Sequence, residues 1–214
     1  MLELFNQLIY ILTHIDIVLR NWVVDYQTWT YLILFTIIFC ETGLVVTPFL
    51  PGDSLLFAAG AVAAMPGNPL NIIYIVVILV IAAFAGDNSN YWIGRFLGDK
   101  VYKKDYRLIK RKYLDQTHTF YEKHGVITII IARFMPIIRT FAPFVAGVGK
   151  MKYPRFYTFS FIGNIIWVSL FSIAGYLFGN LPSVKSNFSI VIFAIIGISL
   201  LPPVFTALRH RFQK

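Results

Sequence analysis

Apolar residues come in runs too long for the face of a soluble helix, and the charges gather between them. Residues 54–86, 156–184 and 186–208 hold no Asp, Glu, Lys or Arg over 33, 29 and 23 positions. A helix crosses about 30 Å of hydrocarbon with roughly 20 residues, so each run is long enough. The pattern predicts spanning helices over about 70–93, 156–178 and 186–208. A transmembrane barrel would instead alternate apolar and polar residues in ~10-residue segments.

Two further apolar stretches are interrupted. The first passes through residues 30–40, meets Glu41, Gly43, Pro48, Pro51, Gly52 and Asp53, and resumes to Ala64. The second starts at Gly125 and carries Arg133, Pro136, Arg139 and Pro143 before Gly147. A proline inside a helix removes a backbone donor and collides with the preceding turn, so neither stretch is expected to form an unbroken helix. Pro48, Pro51, Gly52, Pro136 and Pro143 are the expected hinges. Upstream, Leu2, Phe5, Leu8, Ile9, Leu12 and Ile15 fall near a helical period that Asn6, Gln7, His14 and Asp16 interrupt. Residues 1–29 therefore read as an amphipathic helix lying on the interface, with Trp22, Tyr26 and Trp29 at headgroup level.

The two halves resemble each other. A shift of 92 places Glu41 on Arg133, Thr47 on Arg139, Phe49 on Phe141 and Pro51 on Pro143. Each half continues into a long span ending in two glycines four apart, Gly94 with Gly98 and Gly175 with Gly179. That small-residue spacing lets helices approach closely. The order of broken segment, loop and span gives one membrane domain over 30–208. Within it lie repeat one (30–98), a basic segment (99–123), repeat two (124–179) and a last span (186–208), followed by a basic tail (209–214).

The distribution of charge orients this chain. Of 19 Lys and Arg, nine lie within 95–123, three within 150–155 and three within 209–214. With residues 99–123 in the cytoplasm, 15 of the 19 share that face, as the positive-inside bias requires. The two interrupted segments then dip in from opposite faces. The expected fold is all-α: a polytopic membrane protein with two oppositely oriented re-entrant helical hairpins in an inverted repeat, its C-terminus cytoplasmic. Such irregular backbone is tolerated at membrane depth where it faces protein or water, an arrangement found in transporters.

Composition adds exclusions. Charged residues make up 14% against about 25% in soluble domains, which rules out a soluble or disordered chain. The net charge of +9 accompanies no nucleic-acid motif. No basic leader region suggests a removable signal peptide, and the single Cys40 says little about compartment.

Glu41, Asp53, Arg133 and Arg139 sit inside the interrupted segments. At ~2.5–3.5 kcal/mol each, four isolated charges at the bilayer centre would cost on the order of 10–14 kcal/mol, so they must face one another or a wet cavity. Two acids from one hairpin and two guanidinium groups from the other would line a polar chamber. Arg133 and Arg139 suit a phosphate, because a guanidinium makes paired, charge-assisted bonds and stays protonated when desolvated. Glu41 and Asp53 suit proton exchange or gating. The alternative is two buried salt bridges that only pin the hairpins together.

Asp87 is either a fifth member of the chamber or a partner for Arg95. Gly94, Gly98, Gly175 and Gly179 read as packing positions, and Asn164 and Trp167 as interhelical contacts. Glu122 to Gly125 is either a helix end or a route for protons through His124. His14, His118 and His210 show no metal-ligand spacing, and no cofactor or metal is expected. Neither a nucleophile elbow nor a P-loop is present, so an enzyme is not expected.

These residues resemble the DedA family of bacterial inner-membrane proteins, which share a VTT (SNARE-associated) domain with lipid scramblases of the endoplasmic reticulum. The likeness runs through Glu41 and Gly43, then Pro48 to Ser54, Gly86-Asp87, Tyr91, Gly94-Arg95 and Gly98. It continues with Lys123 and Gly125, Arg133-Phe134, Pro136, Arg139-Thr140, Ala146-Gly147, Asn164, Trp167, Gly175-Tyr176 and Gly179. It implies a transporter of the bacterial cytoplasmic membrane that flips undecaprenyl phosphate or another phospholipid, with protons as coupling partner. A proton-coupled antiporter of small cations or drugs is the alternative, and a non-transporting assembly factor a third. The family's essential acids and arginines would fall on Glu41, Asp53, Arg133 and Arg139. Its partners would be membrane lipids, polyprenyl phosphate or anionic phospholipid, and a homo-oligomer is compatible with the sequence.

Overall fold

A computed structural model describes residues 15–43, 52–103, 129–130 and 132–185, then 187–188, 190–191, 194–195 and 197. Among these residues all the regular structure is helical, and the chain is a polytopic membrane protein. Helix α1 (Ile15–Tyr26) passes through a 3-10 turn at Gln27–Trp29 into α2 (Thr30–Gly43). There follow α3 (Gly52–Ala63), α4 (Ile72–Lys103), α5 (Pro136–Val148), α6 (Tyr153–Phe178) and a short α7 (Pro182–Lys185). Among the described residues, three stretches are long and apolar enough to cross a bilayer: Ile17–Gly43, Ile72–Gly98 and Tyr153–Phe178.

The last two coincide with sequence expectations, and the first adds to them. Residues 17–29, read above as interfacial, fall inside a candidate span, because the break at Gln27 (φ 44°) is a single turn and not a loop. The Thr30 hydroxyl bridges that break by donating to the Trp22 carbonyl at 3.1 Å. Residues 1–14, Pro48 and Pro51, the basic segment from 104 to 128 with His124, and the tail lie outside the described residues. So does most of the expected last span, although 188, 190–191, 194–195 and 197 are helical.

The long helices bury one stripe and expose the rest. On α4 the buried positions are Ile75, Leu79, Val80, Ala82, Ala83, Gly86, Asp87, Asn90, Tyr91, Gly94 and Gly98, following the 3–4 spacing of a helix face. Ile73, Tyr74, Val77 and Ile81 point outward, as suits a chain whose surroundings are lipid. Asp87 and Asn90 lie on the inner stripe among apolar residues, while large apolar side chains face outward. Helix α3 is buried from Gly52 to Val62, matching an apolar character on all sides.

Two compact units make up the structure. Among the described residues the first takes in 15–35, 52–79 and 168 onward, and the second 36–43, 80–103 and 129–167. In the first unit α3 packs on the end of α6. A Cβ added at Gly60 would overlap the Ser172 carbonyl and lie 2.8 Å from the Tyr176 nitrogen; one at Gly175 would overlap Phe57, and one at Gly179 would overlap Ala61. In the second unit α5 packs on the end of α4. A Cβ at Gly147 would overlap the Tyr91 carbonyl and lie 2.7 Å from the Arg95 nitrogen; one at Gly94 would overlap Phe144, and one at Gly98 would lie 2.9 Å from the Val148 carbonyl.

The same glycine arrangement is thus used twice, each short helix running parallel to its long one. In each unit, the short helix of one half lies on the long helix of the other. Short-helix positions correspond at a spacing of 87 (Gly60 with Gly147), and long-helix positions at 81 (Gly94 with Gly175). The two units therefore share one packing arrangement, and the shift of 92 is not its register. That shift rested in part on Pro51 falling on Pro143, and Pro143 lies inside a helix, whereas Pro136 opens one, where a missing N–H costs nothing. Pro143, expected as a break, is accommodated within α5.

Candidate functional site

The second unit encloses a cluster of charges. Its geometry begins where α2 meets α4. A Cβ on Gly43 would lie 3.1 Å from the Gly86 Cα, and one on Gly86 2.9 Å from the Gly43 nitrogen. Glycine on both sides lets the backbones touch. Two acids flank this contact: Glu41, two residues before Gly43, and Asp87, next to Gly86. They are 1% and 0% exposed.

The opposing charges come from a turn and the helix that follows it. The Arg133 amide donates to the Ile130 carbonyl at 3.2 Å and that of Met135 to Ala132 at 3.0 Å. Pro136 then starts α5. The Arg139 amide closes the first turn by donating to the Met135 carbonyl at 2.8 Å. Arg133 and Arg139 are 2% and 4% exposed.

Each arginine has its own carboxylate. Arg139 Nη2 donates to Glu41 Oε1, and its guanidinium carbon stands 4.7 Å from the centre of the Trp167 ring. Arg133 Nη2 pairs with Asp87 Oδ2 and donates to Ser160 Oγ at 3.2 Å. The Ser160 hydroxyl in turn donates to the same Asp87 oxygen at 2.5 Å, and Asn164 Nδ2 donates to it at 2.9 Å. Gly163 makes room for the arginine, since a Cβ there would sit 3.3 Å from Arg133 Cγ.

Buried ion pairs persist only when further hydrogen bonds offset the loss of water; Ser160 and Asn164 supply such bonds, and Trp167 offers Arg139 its ring face. Even so, Arg133 Nη1, Asp87 Oδ1 and Asn164 Oδ1 have no hydrogen-bond partner among the described residues. Ser160→Ala should remove the hydroxyl shared by acid and arginine. A cost of about 1–3 kcal/mol corresponds to a melting temperature lower by roughly 2–12 °C in a thermal-shift measurement.

The sequence reading is thus rearranged in part. Glu41, Arg133 and Arg139 come together as expected. Asp87 joins them as the partner of Arg133, and so belongs to the cluster. Asp53 is the second residue of α3, 6% exposed, and belongs to the first unit. Gly52 opens that helix. Gly94, Gly98, Gly175 and Gly179 are packing positions, as read. The sequence alone assigns no role to Ser160 or Asn90. Their signal was polar side chains on the same stripe as Asn164 and Asp87, inside otherwise apolar spans. Among the described residues no three of His, Cys, Asp and Glu come together as metal ligands.

The model of the VTT domain matches residues 50–177 of this chain. Protein DedA of Escherichia coli K12 is 53% identical over 211 residues, covering 98% of this chain and 96% of that protein. The chain belongs to the DedA family. An uncharacterised membrane protein of Mycobacterium tuberculosis is 44% identical over 174 residues, 81% of this chain and 76% of that one. Inner membrane protein YghB of E. coli K12 is 30% identical over 190 residues, 85% and 86% of the two chains. No solved structure matches. The VTT match takes in Asp87, Arg133 and Arg139 of this DedA-family protein, while Glu41 lies nine residues before it.

Proposed function

We propose that the protein moves a phosphate-bearing lipid, a polyprenyl phosphate or an anionic phospholipid, across the bacterial cytoplasmic membrane, with protons as the coupling ion and no covalent chemistry. The observation that carries this reading is the one-to-one pairing of two buried arginines with two buried carboxylates. Protonation of Glu41 or Asp87 releases its guanidinium, which then takes the lipid phosphate by charge-assisted bonds. Loss of the proton restores the pair and expels the phosphate. Arg133 Nη1 is placed to make the first contact.

In this reading the short helices are arms of re-entrant hairpins that enter from opposite faces. At 12 and 13 residues they are about 18–20 Å long, too short for the hydrocarbon. Their glycine seats, alike in the two units, support a repeat of short helix on long helix.

The cluster carries no net charge at rest, and that favours a second reading. A proton-coupled antiporter of small cations or drugs would use the same acids, with the arginines holding them. A headgroup-selective flipping assay in reconstituted vesicles separates the two. Arg139→Ala should abolish movement of a phosphate-bearing lipid, while Lys185→Ala, at an exposed lysine on α7, should leave it unchanged. Cation-dependent proton flux without lipid movement would establish the antiporter instead.

A further inference from the structure

We infer that Asn90 is the positioning residue of the Glu41–Arg139 ion pair, a latch that holds the backbone on both sides of the pair with one amide group. Its Nδ2 donates to the carbonyl of Thr42 at 3.2 Å and to the carbonyl of Thr140 at 2.6 Å. Thr42 follows Glu41, and Thr140 follows Arg139. One side chain on α4 therefore fixes α2 and α5 at the residues next to the two partners.

The chemistry calls for an amide of this length. The two hydrogens on Nδ2 match the two acceptors. Both acceptors are carbonyl oxygens, so a flipped amide would set oxygen against oxygen, and the orientation is decided. The Thr42 carbonyl lies in the last turn of α2, where carbonyls lack a helical donor, and Asn90 provides one. Asn90 is 0% exposed, so water does not compete for these bonds. A serine offers one donor, and an alanine none.

The latch also explains how the pair keeps its register. Slipping either helix by one residue would turn its side chain by about 100° and part Glu41 from Arg139. Two bonds from a single amide oppose that slip, because α2 and α5 are both tied to one point on α4. The glycine contact between α2 and α4 sets how near the helices come. Glycine, having no side chain, sets no rotation, and Asn90 does.

This inference deepens the proposed site, and only its consequence for transport rests on that reading. The test is a double-mutant cycle by thermal melting of the full-length protein in nanodiscs. Glu41→Gln, Arg139→Gln and the double variant are compared with the parent, first with Asn90 and then with Asn90→Ala. With Asn90 the melting shifts of the two single variants should be clearly non-additive, as expected for residues in contact. With Asn90→Ala the non-additivity should fall to about half or less. A residue that merely fills space would lower every melting temperature and leave the non-additivity unchanged, which would overturn the latch.

Should Asn90→Ala fail to fold, Asn90→Ser keeps one donor and should give an intermediate value; full non-additivity there would overturn the proposal equally. Flipping by Asn90→Ala, measured on the same preparation, separates this claim from the transport reading. Reduced coupling with unaltered lipid movement would leave the latch standing and remove the ion pair from the transport cycle.

Discussion

Arg139→Ala is expected to destabilise the protein strongly. The change leaves Glu41, 1% exposed, without its guanidinium. Breaking a buried pair from one side costs about 3–5 kcal/mol. At roughly 2–4 °C per kcal/mol for a chain of this size, the melting temperature should fall by about 6–20 °C. Glu41→Gln should cost less, because Arg139 keeps the face of Trp167, a contact worth about 0.5–2 kcal/mol. Reversing both charges, Glu41→Arg with Arg139→Glu, should recover part of the loss. Full recovery is not expected, since a carboxylate at 139 would meet the electron-rich ring face. Exchanging Glu41 with Arg133 should recover nothing, because those two residues have different partners. Melting of Arg139→Ala at the parental temperature would show that the pairing described above is wrong.

Much of this site was legible in the sequence, and the illegible part has a physical cause. Glu41, Arg133 and Arg139 stood out because ionisable groups in apolar segments must find partners. Which acid meets which arginine depends on where the helices cross, and Gly43 and Gly86 decide that through a contact between residues far apart in the chain. Asp87 was ambiguous for the same reason: its neighbour along α4, Arg95, and its partner across the fold, Arg133, both suited it. Ser160 escaped notice because one hydroxyl barely alters an apolar run. The packing shared by the two units was legible as an order of elements and illegible as a register. Prolines coincide easily in apolar sequence, whereas Gly60 and Gly147 reveal their equivalence only by what they touch. The extra length of the first span was hidden by Asp16, Arg20, Asn21 and Asp25, which give α1 the look of an interfacial helix, although Leu19 and Val23 are buried.

The twofold glycine seat leads to the other large effect: Gly147→Ala and Gly60→Ala should each remove most of the folded protein. In side-chain cores, excess volume costs about 1–3 kcal/mol, because neighbours repack. Here a new methyl group would meet the backbone of the opposite helix, at Tyr91 for Gly147 and at Ser172 for Gly60, and a backbone can yield only by moving the helix. The contact would be lost along with the burial it provides, so the yield of monodisperse protein after detergent extraction should drop several-fold. Gly197→Ala, with nothing among the described residues within 4 Å of the added atom, should extract like the parent. Gly67→Ala also meets nothing but lies at φ +75°, and should cost only the strain of that conformation, roughly 1–2 kcal/mol. The two seats should differ in one respect. Gly147 carries the helix that bears Arg139, so whatever folded Gly147→Ala remains should show weakened coupling between Glu41 and Arg139. Gly60 touches neither partner, and its variant should lose yield with that coupling intact. Parental yield from both variants would mean that the helices do not approach as closely as the glycines allow.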